Sequence, residues 1–214
     1  MTVPTTPLDE KAKPFFVRYR TRFGLLFSIA VFFCLLFIQP SWAKPEYYWP
    51  YGFVLHTMGY ALILAGVLGR LWCTLYIGGR KERELQTTGP YSLVRHPLYV
   101  GSLLLGLGIV MLSQSPLVLL AGVVYFVAQY RATIRFEEAK LANIFGEQHA
   151  EYIKRVPCFI PKLSVFDPTP PGTVNLQPLQ WEISRSIAYL ATIPLLDLIY
   201  QLQTNHIIHT ILFP

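Results

Sequence analysis

Charge is what this chain has least of. Only 14% of its 214 residues are Asp, Glu, Lys or Arg, against about 25% in an ordinary soluble domain. The deficit is uneven, because charges vanish over long windows and crowd into short ones. That pattern excludes an evenly solvated globule and predicts membrane spans separated by wet loops. Cysteine is scarce as well. Cys34, Cys73 and Cys158 are widely spaced, which argues against a disulfide framework and matches no metal-ligand pattern, so no metal ligand is assigned from the sequence. The polar, proline-rich stretch from Met1 to Pro14 lacks the early apolar run of a cleaved signal peptide, and the first span is expected to remain in the mature protein. The net charge of +6 does not point to nucleic acid. The basic residues flank apolar stretches, where they set orientation and meet anionic membrane lipid.

What is present is a succession of apolar runs. Phe23 to Gln39 is charge-free and follows Lys11, Lys13, Arg18, Arg20 and Arg22, so it reads as a first span. A short loop with Trp42, Tyr47, Tyr48 and Trp49 suits the headgroup level. Tyr51 to Gly69 reads as a second span. Its apolar character continues to Gly79 past Arg70, which is expected to snorkel toward an interface. Leu98 to Tyr130 carries no charge and is interrupted by Ser113-Gln114-Ser115-Pro116. Two helices of about 15 residues rise roughly 22 Å each, short for a hydrocarbon core of about 30 Å, so a tight helical hairpin is expected. A wet region from Arg131 to Trp181 opens as a helix with a stop at Gly146 and becomes proline-rich, and Ile183 to Tyr200 reads as a last, weaker span.

The expected fold is therefore an all-α integral membrane protein with about five transmembrane helices. Residues 1–22 form a basic arm, 23–79 the first two spans, 80–162 a core containing the hairpin, and 163–214 a proline-rich linker and C-terminal membrane helix. Under this threading fifteen of the eighteen Lys and Arg fall on one side, which places the N-terminus and the core's wet segments in the cytoplasm.

Two of those wet segments carry chemistry. In Gly89-Pro90-Tyr91-Ser92-Leu93-Val94-Arg95-His96-Pro97-Leu98-Tyr99-Val100-Gly101, a Gly-Pro turn leads to a His-Pro helix start, with His96 and Tyr99 three apart on one face. Such residues also serve as plain interface anchors. The second segment contains Glu137 and Glu138 directly after the charge-free hairpin. There, Arg131, Arg135 and Glu138 share a helix face and are assigned to substrate positioning. A salt-bridged solvated helix reads the same way, but ionisable groups beside a membrane tend to be functional, and carboxylates there suit a cationic or ribose-bearing ligand. Gly106-Leu107-Gly108 lies inside an apolar helix and is no dinucleotide loop. His56 and Asp197 read as paired structural residues, and His206 and His209 make a poor metal site.

GPYSLVRHPLYVG followed by EEAKLANIFGEQHAEYIKRVPCFIP resembles the isoprenylcysteine carboxyl methyltransferase family and the wider membrane group with phospholipid N-methyltransferases. The resemblance implies a helical, non-Rossmann fold that wraps S-adenosylmethionine, with Leu85, Tyr91, His96, Pro97, Leu98, Tyr99 and Glu137 at the cofactor. It also implies a lipophilic or lipid-modified acceptor taken from the membrane, and no nucleic acid. Where the family carries an Arg for the substrate carboxylate, four residues before the first Glu, this chain has Thr133, so the acceptor group stays open between carboxylate, amine and thiol. Membrane sterol reductases, which use NADPH, share a similar RHPxYxG. A non-catalytic scaffold is the third reading.

Overall fold

A computed structural model describes residues 18–37, 52–79, 83–172, 174–205 and 207. The basic arm before Arg18, the aromatic loop from Trp42 to Trp49, His206 and His209 lie outside the described residues. Within them the chain is helical with no strand: α1 (Arg20–Phe37), α2 (Phe53–Ile77), α3 (Pro90–Leu93), α4 (Pro97–Leu112), α5 (Pro116–Phe145), α6 (Glu147–Arg155), a 3-10 turn at Leu163–Val165, and α7 (Leu176–Thr204). Three of these, α2, α5 and most of α7, are long and apolar enough to cross a membrane, while α1 and α4 are shorter apolar helices. The described helices thus give three full-length candidate spans where five were expected.

The centre of the bundle is the antiparallel contact between α2 and α4. Gly59 and Gly66 are seven residues apart on α2, as are Gly101 and Gly108 on α4, so each pair lies on one helix face. A side chain at Gly66 would meet the Gly101 carbonyl at 2.7 Å, and one at Gly108 would meet the Gly59 carbonyl at 2.7 Å. Small residues at these levels let the two backbones touch, which is how apolar helices gain contact where lipid removes the hydrophobic drive. Ile63, Val67, Leu105 and Leu112 fill the spaces between, with Tyr189, Ile193 and Leu196 of α7 packed over them.

The hairpin forms, but with unequal arms. α4 has 16 residues and α5 has 30. The second arm does not end with its apolar part, because good helix formers continue through Arg135, Lys140 and Leu141 until the chain turns at Gly146. The hairpin tip Ser113-Gln114-Ser115 is buried, with Gln114 at φ 50°.

Arg70 departs from the snorkelling expectation. It neither interrupts α2 nor reaches for water. Its Nε lies 2.6 Å from Glu182 Oε1 and its Nη2 lies 2.9 Å from Oε2, while Nη1 donates to Ser102 Oγ. This bidentate pair also explains why α7 starts at Leu176 rather than Ile183. With its charge neutralised by Arg70, Glu182 sits inside the bundle, and Asn175 caps the earlier start by accepting from the Gln177 amide at 3.1 Å. His56 and Asp197 behave as the sequence suggests: Tyr60 donates to Asp197 Oδ1 at 2.9 Å, and the His56 ring lies 5.7 Å from the Tyr60 ring.

Removing one partner of a buried pair leaves the other charge stranded, which costs about 3–5 kcal/mol, whereas replacing both with apolar residues is close to neutral. Arg70→Met is therefore expected to destabilise strongly and Arg70→Met/Glu182→Met to recover most of the loss, read as reversible unfolding in mixed micelles. A double variant as unstable as the single one would remove the pair from this role.

Candidate functional site

The sequence between α2 and α4 cannot continue either helix. Gly89 adopts φ 59°, a conformation closed to most residues, and a side chain there would collide with the Tyr76 ring. Pro90 then opens the one-turn α3. Pro97 opens α4, with His96 at its N-cap position (φ −122°, ψ 58°).

The segment after α6 straps this loop in place. The Arg95 amide donates to the Pro157 carbonyl at 2.9 Å, the Lys162 amide to Leu93 at 3.0 Å, and the Gly89 amide to Asp167 at 2.8 Å. The Asp167 amide donates to Ser92 Oγ at 2.9 Å, and Tyr152 of α6 donates to the Tyr91 carbonyl at 2.6 Å. The stretch beyond Pro161 thus helps hold the loop that carries the histidine corner.

These elements enclose a small, half-open pocket with about 80 Å³ of space for water-sized spheres. Leu85, Tyr91, His96, Pro97, Leu98, Tyr99 and Glu137 all line it, joined by Glu84, Arg95 and Tyr152. The histidine corner and the glutamates, forty residues apart in the chain, meet here. His96 Nδ1 is 3.8 Å from Glu137 Oε2, and His96 Nε2 is 3.3 Å from Glu138 Oε1. The Tyr99 ring stacks on His96 at 5.6 Å.

Burial governs the protonation of the site. His96 is 6% exposed, and that desolvation pulls its pKa below the ordinary 6.5. Glu137 and Glu138 oppose the shift and Arg95 adds to it, but burial prevails. The imidazole is therefore neutral at pH 7, with one ring nitrogen carrying a proton and the other a lone pair. Burial likewise lowers His149 on α6 and holds the Tyr91 phenol well above its usual value. The Tyr91 hydroxyl is buried with no hydrogen-bond partner among the described residues. A buried, unsatisfied donor is costly, and here it belongs to a pocket-lining residue.

The residues assigned to substrate positioning divide. Glu138 reaches His96, whereas Arg131 and Arg135 are exposed and line a separate cleft with Glu138, Cys158 and Phe159. Thr133 is buried in α5 and donates to the Gln129 carbonyl at 2.8 Å. A larger apolar cavity, about 1250 Å³ including its mouth, lies between α1, α4, α5 and α7, with Arg70 and Ser102 as its polar edge. Tyr130 lines that cavity, and its ring lies 5.5 Å from that of Tyr99 in the first pocket. Sequence reasoning missed Arg95, Cys158 and His149. Arg95 stands inside the motif itself, and its Nη2 lies 3.2 Å from Glu138 Oε1. Nothing in the spacing of Cys158 or His149 marks them.

The phospholipid methyltransferase family model matches residues 51–148, which contain the glycine-paired helices, the histidine corner and both glutamates. Over 150 residues the chain is 40% identical to the cobalt-zinc-cadmium resistance protein CzcN of Cupriavidus metallidurans, covering 70% of this chain and 65% of that protein. It is 40% identical over 138 residues to the nickel-cobalt-cadmium resistance protein NccN of Alcaligenes xylosoxydans xylosoxydans, covering 64% and 63%. It is 27% identical over 141 residues to protein-S-isoprenylcysteine O-methyltransferase B of Arabidopsis thaliana, covering 64% and 72%. The chain spans just under two thirds of the length of the first two relatives. No solved structure gives a significant match. With the motif residues gathered around one pocket, these matches make the chain similar, over residues 51–148, to the phospholipid methyltransferase family and to isoprenylcysteine O-methyltransferases.

Proposed function

We propose that the protein transfers a methyl group from S-adenosylmethionine to a lipophilic acceptor at the cytoplasmic face of a membrane. The observation that carries this reading is the convergence of Leu85, Tyr91, the His96–Tyr99 corner and Glu137 on one pocket. The pocket suits the ligand. It offers an aromatic and aliphatic lining for an adenine, a carboxylate for ribose hydroxyls or a cationic centre, and a buried phenol hydroxyl without a partner. When bound, S-adenosylmethionine supplies an electrophilic methyl on a good leaving group.

The chain's own residues supply placement and dryness. Tyr91 donates from a water-poor wall. Glu137 is placed by α5 and presents negative charge beside His96. The Tyr99–Tyr130 pair separates the pocket from the apolar cavity among the membrane helices. That cavity suits the hydrocarbon part of an acceptor whose reactive end points toward Tyr99. A carboxylate acceptor needs no base. For an amine acceptor, neutral His96 offers a lone pair for the proton. We favour a carboxylate, as in the isoprenylcysteine methyltransferases, with a phospholipid amine as the second reading. The names of the two 40% identical relatives suggest a setting in metal tolerance. An NADPH-dependent reductase is the rival enzyme reading, and the Glu137–Glu138 pair fits the methyltransferase pattern better.

Isothermal titration of the detergent-purified protein with S-adenosylhomocysteine is expected to show one site. Tyr91→Phe and Glu137→Gln should each weaken it roughly tenfold, the effect of about 1.4 kcal/mol, consistent with loss of a single buried or charge-assisted hydrogen bond. Binding of NADPH with no binding of S-adenosylhomocysteine to the folded protein would overturn the assignment. Incubation with labelled S-adenosylmethionine and native lipid extract, followed by mass spectrometry, identifies the acceptor.

The pH dependence has a definite sign. His96 has a folded pKa below its unfolded 6.5, so the unfolded chain binds the proton first and stability rises with pH. The contribution is complete above 6.5 and is lost as pH falls through the folded value. His149 acts in the same direction. The unfolding midpoint should therefore drop on acidification below 6.5, with a shallower slope in His96→Asn and the shallowest in His96→Asn/His149→Asn. An unchanged slope in both would show that neither ring is the titrating group.

A further inference from the structure

The sequence assigns no metal ligands, yet the fold brings three together. His96, Glu138 and Cys158 offer ligand atoms that all lie within 4.8 Å of one another. His96 Nε2 is 3.3 Å and Cys158 Sγ 3.9 Å from the same oxygen, Glu138 Oε1. In a tetrahedral site with metal–ligand bonds of about 2.0–2.3 Å, neighbouring ligands stand roughly 3.3–3.8 Å apart. The two separations from Glu138 Oε1 already have nearly those dimensions. We propose that His96, Glu138 and Cys158 bind a divalent transition-metal ion of the zinc, cobalt or cadmium type, with the fourth position open.

The donor set selects the ion. A thiolate and an imidazole disfavour magnesium and calcium, and one carboxylate is common in zinc-type sites. Thiolate and carboxylate together neutralise the dication, which matters where all three side chains are buried or half-buried. A second observation points the same way. The other nitrogen of the ring, Nδ1, faces Glu137 Oε2 at 3.8 Å. A carboxylate facing the far nitrogen of a ligating histidine is the usual outer-shell arrangement of metal sites, and with an ion on Nε2 the ring proton sits on Nδ1, toward Glu137.

Arg95 holds this space when no metal is bound, with Nη2 3.2 Å from Glu138 Oε1. Burial and Glu138 keep the Cys158 thiol protonated. Metal binding thus breaks the Sγ–H bond, releases that proton to solvent, forms the Sγ–metal bond, and turns the Arg95 guanidinium off the carboxylate. The cluster lies between the cofactor pocket, which His96 lines, and the cleft lined by Glu138 and Cys158. It exists whatever ligand fills the pocket, so the proposal does not depend on methyl transfer.

The test is Co2+ titration of the chelator-stripped, full-length protein in detergent. One equivalent should produce a thiolate-to-cobalt charge-transfer band with visible bands of tetrahedral intensity, and Zn2+ should erase them. Cys158→Ser should lose the charge-transfer band, Cys34→Ser should keep it, and Glu137→Gln should keep it with affinity weakened about 10–100-fold. Circular dichroism of each variant verifies folding. In the wild-type protein, where no variant has to fold, Zn2+ should protect Cys158 from alkylation, located by mass spectrometry, without protecting Cys34. The proposal is overturned if the wild type shows no charge-transfer band, if Cys158→Ser retains it, or if Zn2+ leaves Cys158 alkylation unchanged. Titration of the same samples with S-adenosylhomocysteine reports on the methyltransferase reading separately.

Discussion

A neutral histidine held against two adjacent carboxylates is the contact on which the rest of this structure depends. His96 precedes α4, and Glu137 and Glu138 lie near the end of α5, so the three meet only if the hairpin returns in one register. Neighbouring contacts fix that register. Val110 packs on Gly122, and Gly106 packs on Phe126. Each step toward the start of α4 is matched by a step along α5, which brings His96 to the level of Phe136 and therefore beside Glu137. The closeness of the arms comes from glycine, and α4 is held at its level by its glycine-to-glycine contact with α2. A longer tip at Ser113–Ser115, or a bulky residue in either glycine pair, would carry the carboxylates off the histidine while leaving every helix intact.

This explains why much of the pocket was legible in the sequence. The motif residues lie in two short stretches, and a charge-free hairpin of nearly equal apolar arms between them implies that its ends return to one place. Gly-Pro and His-Pro announce the turn and helix start through backbone restrictions that act locally. Gly146 ends α5 for the same kind of reason. What the sequence could not show are the pairings made across helices. Arg70 reads as a lone cation in an apolar run, and a snorkelling arginine is the economical inference. Its partner Glu182 stands 112 positions away, at the boundary between the wet region and the last expected span. That one pairing changed both the reading of Arg70 and the start of α7. Cys158 was invisible likewise, because its spacing to His96 carries no periodic signal and only the strap from Pro157 to Asp167 brings it in.

The two ionic clusters answer the same difficulty in different ways. Arg70 and Glu182 form a matched pair, with Ser102 taking a further guanidinium donor, so the charge is cancelled inside the bundle. Around His96 two carboxylates stand beside a guanidinium and a neutral ring, and the buried Tyr91 hydroxyl has no hydrogen-bond partner among the described residues. Structural polar groups in low-dielectric surroundings are normally satisfied. The contrast is between a cluster that holds the helices together and one that lines a pocket.

The arrangement of the cavities carries that distinction further. On the proposed function, a water-soluble, charged ligand would occupy the first pocket, where Glu84 and Arg95 stand among the lining residues. A hydrocarbon ligand is suited to the second cavity, whose lining is almost wholly apolar and whose helices present their outer faces to lipid. The Tyr99 and Tyr130 rings, 5.5 Å apart, join the two spaces. On the proposed function, two molecules of opposite solubility would meet there without either being carried through the wrong solvent, which is the problem a membrane enzyme acting on a lipid with a soluble reagent has to solve.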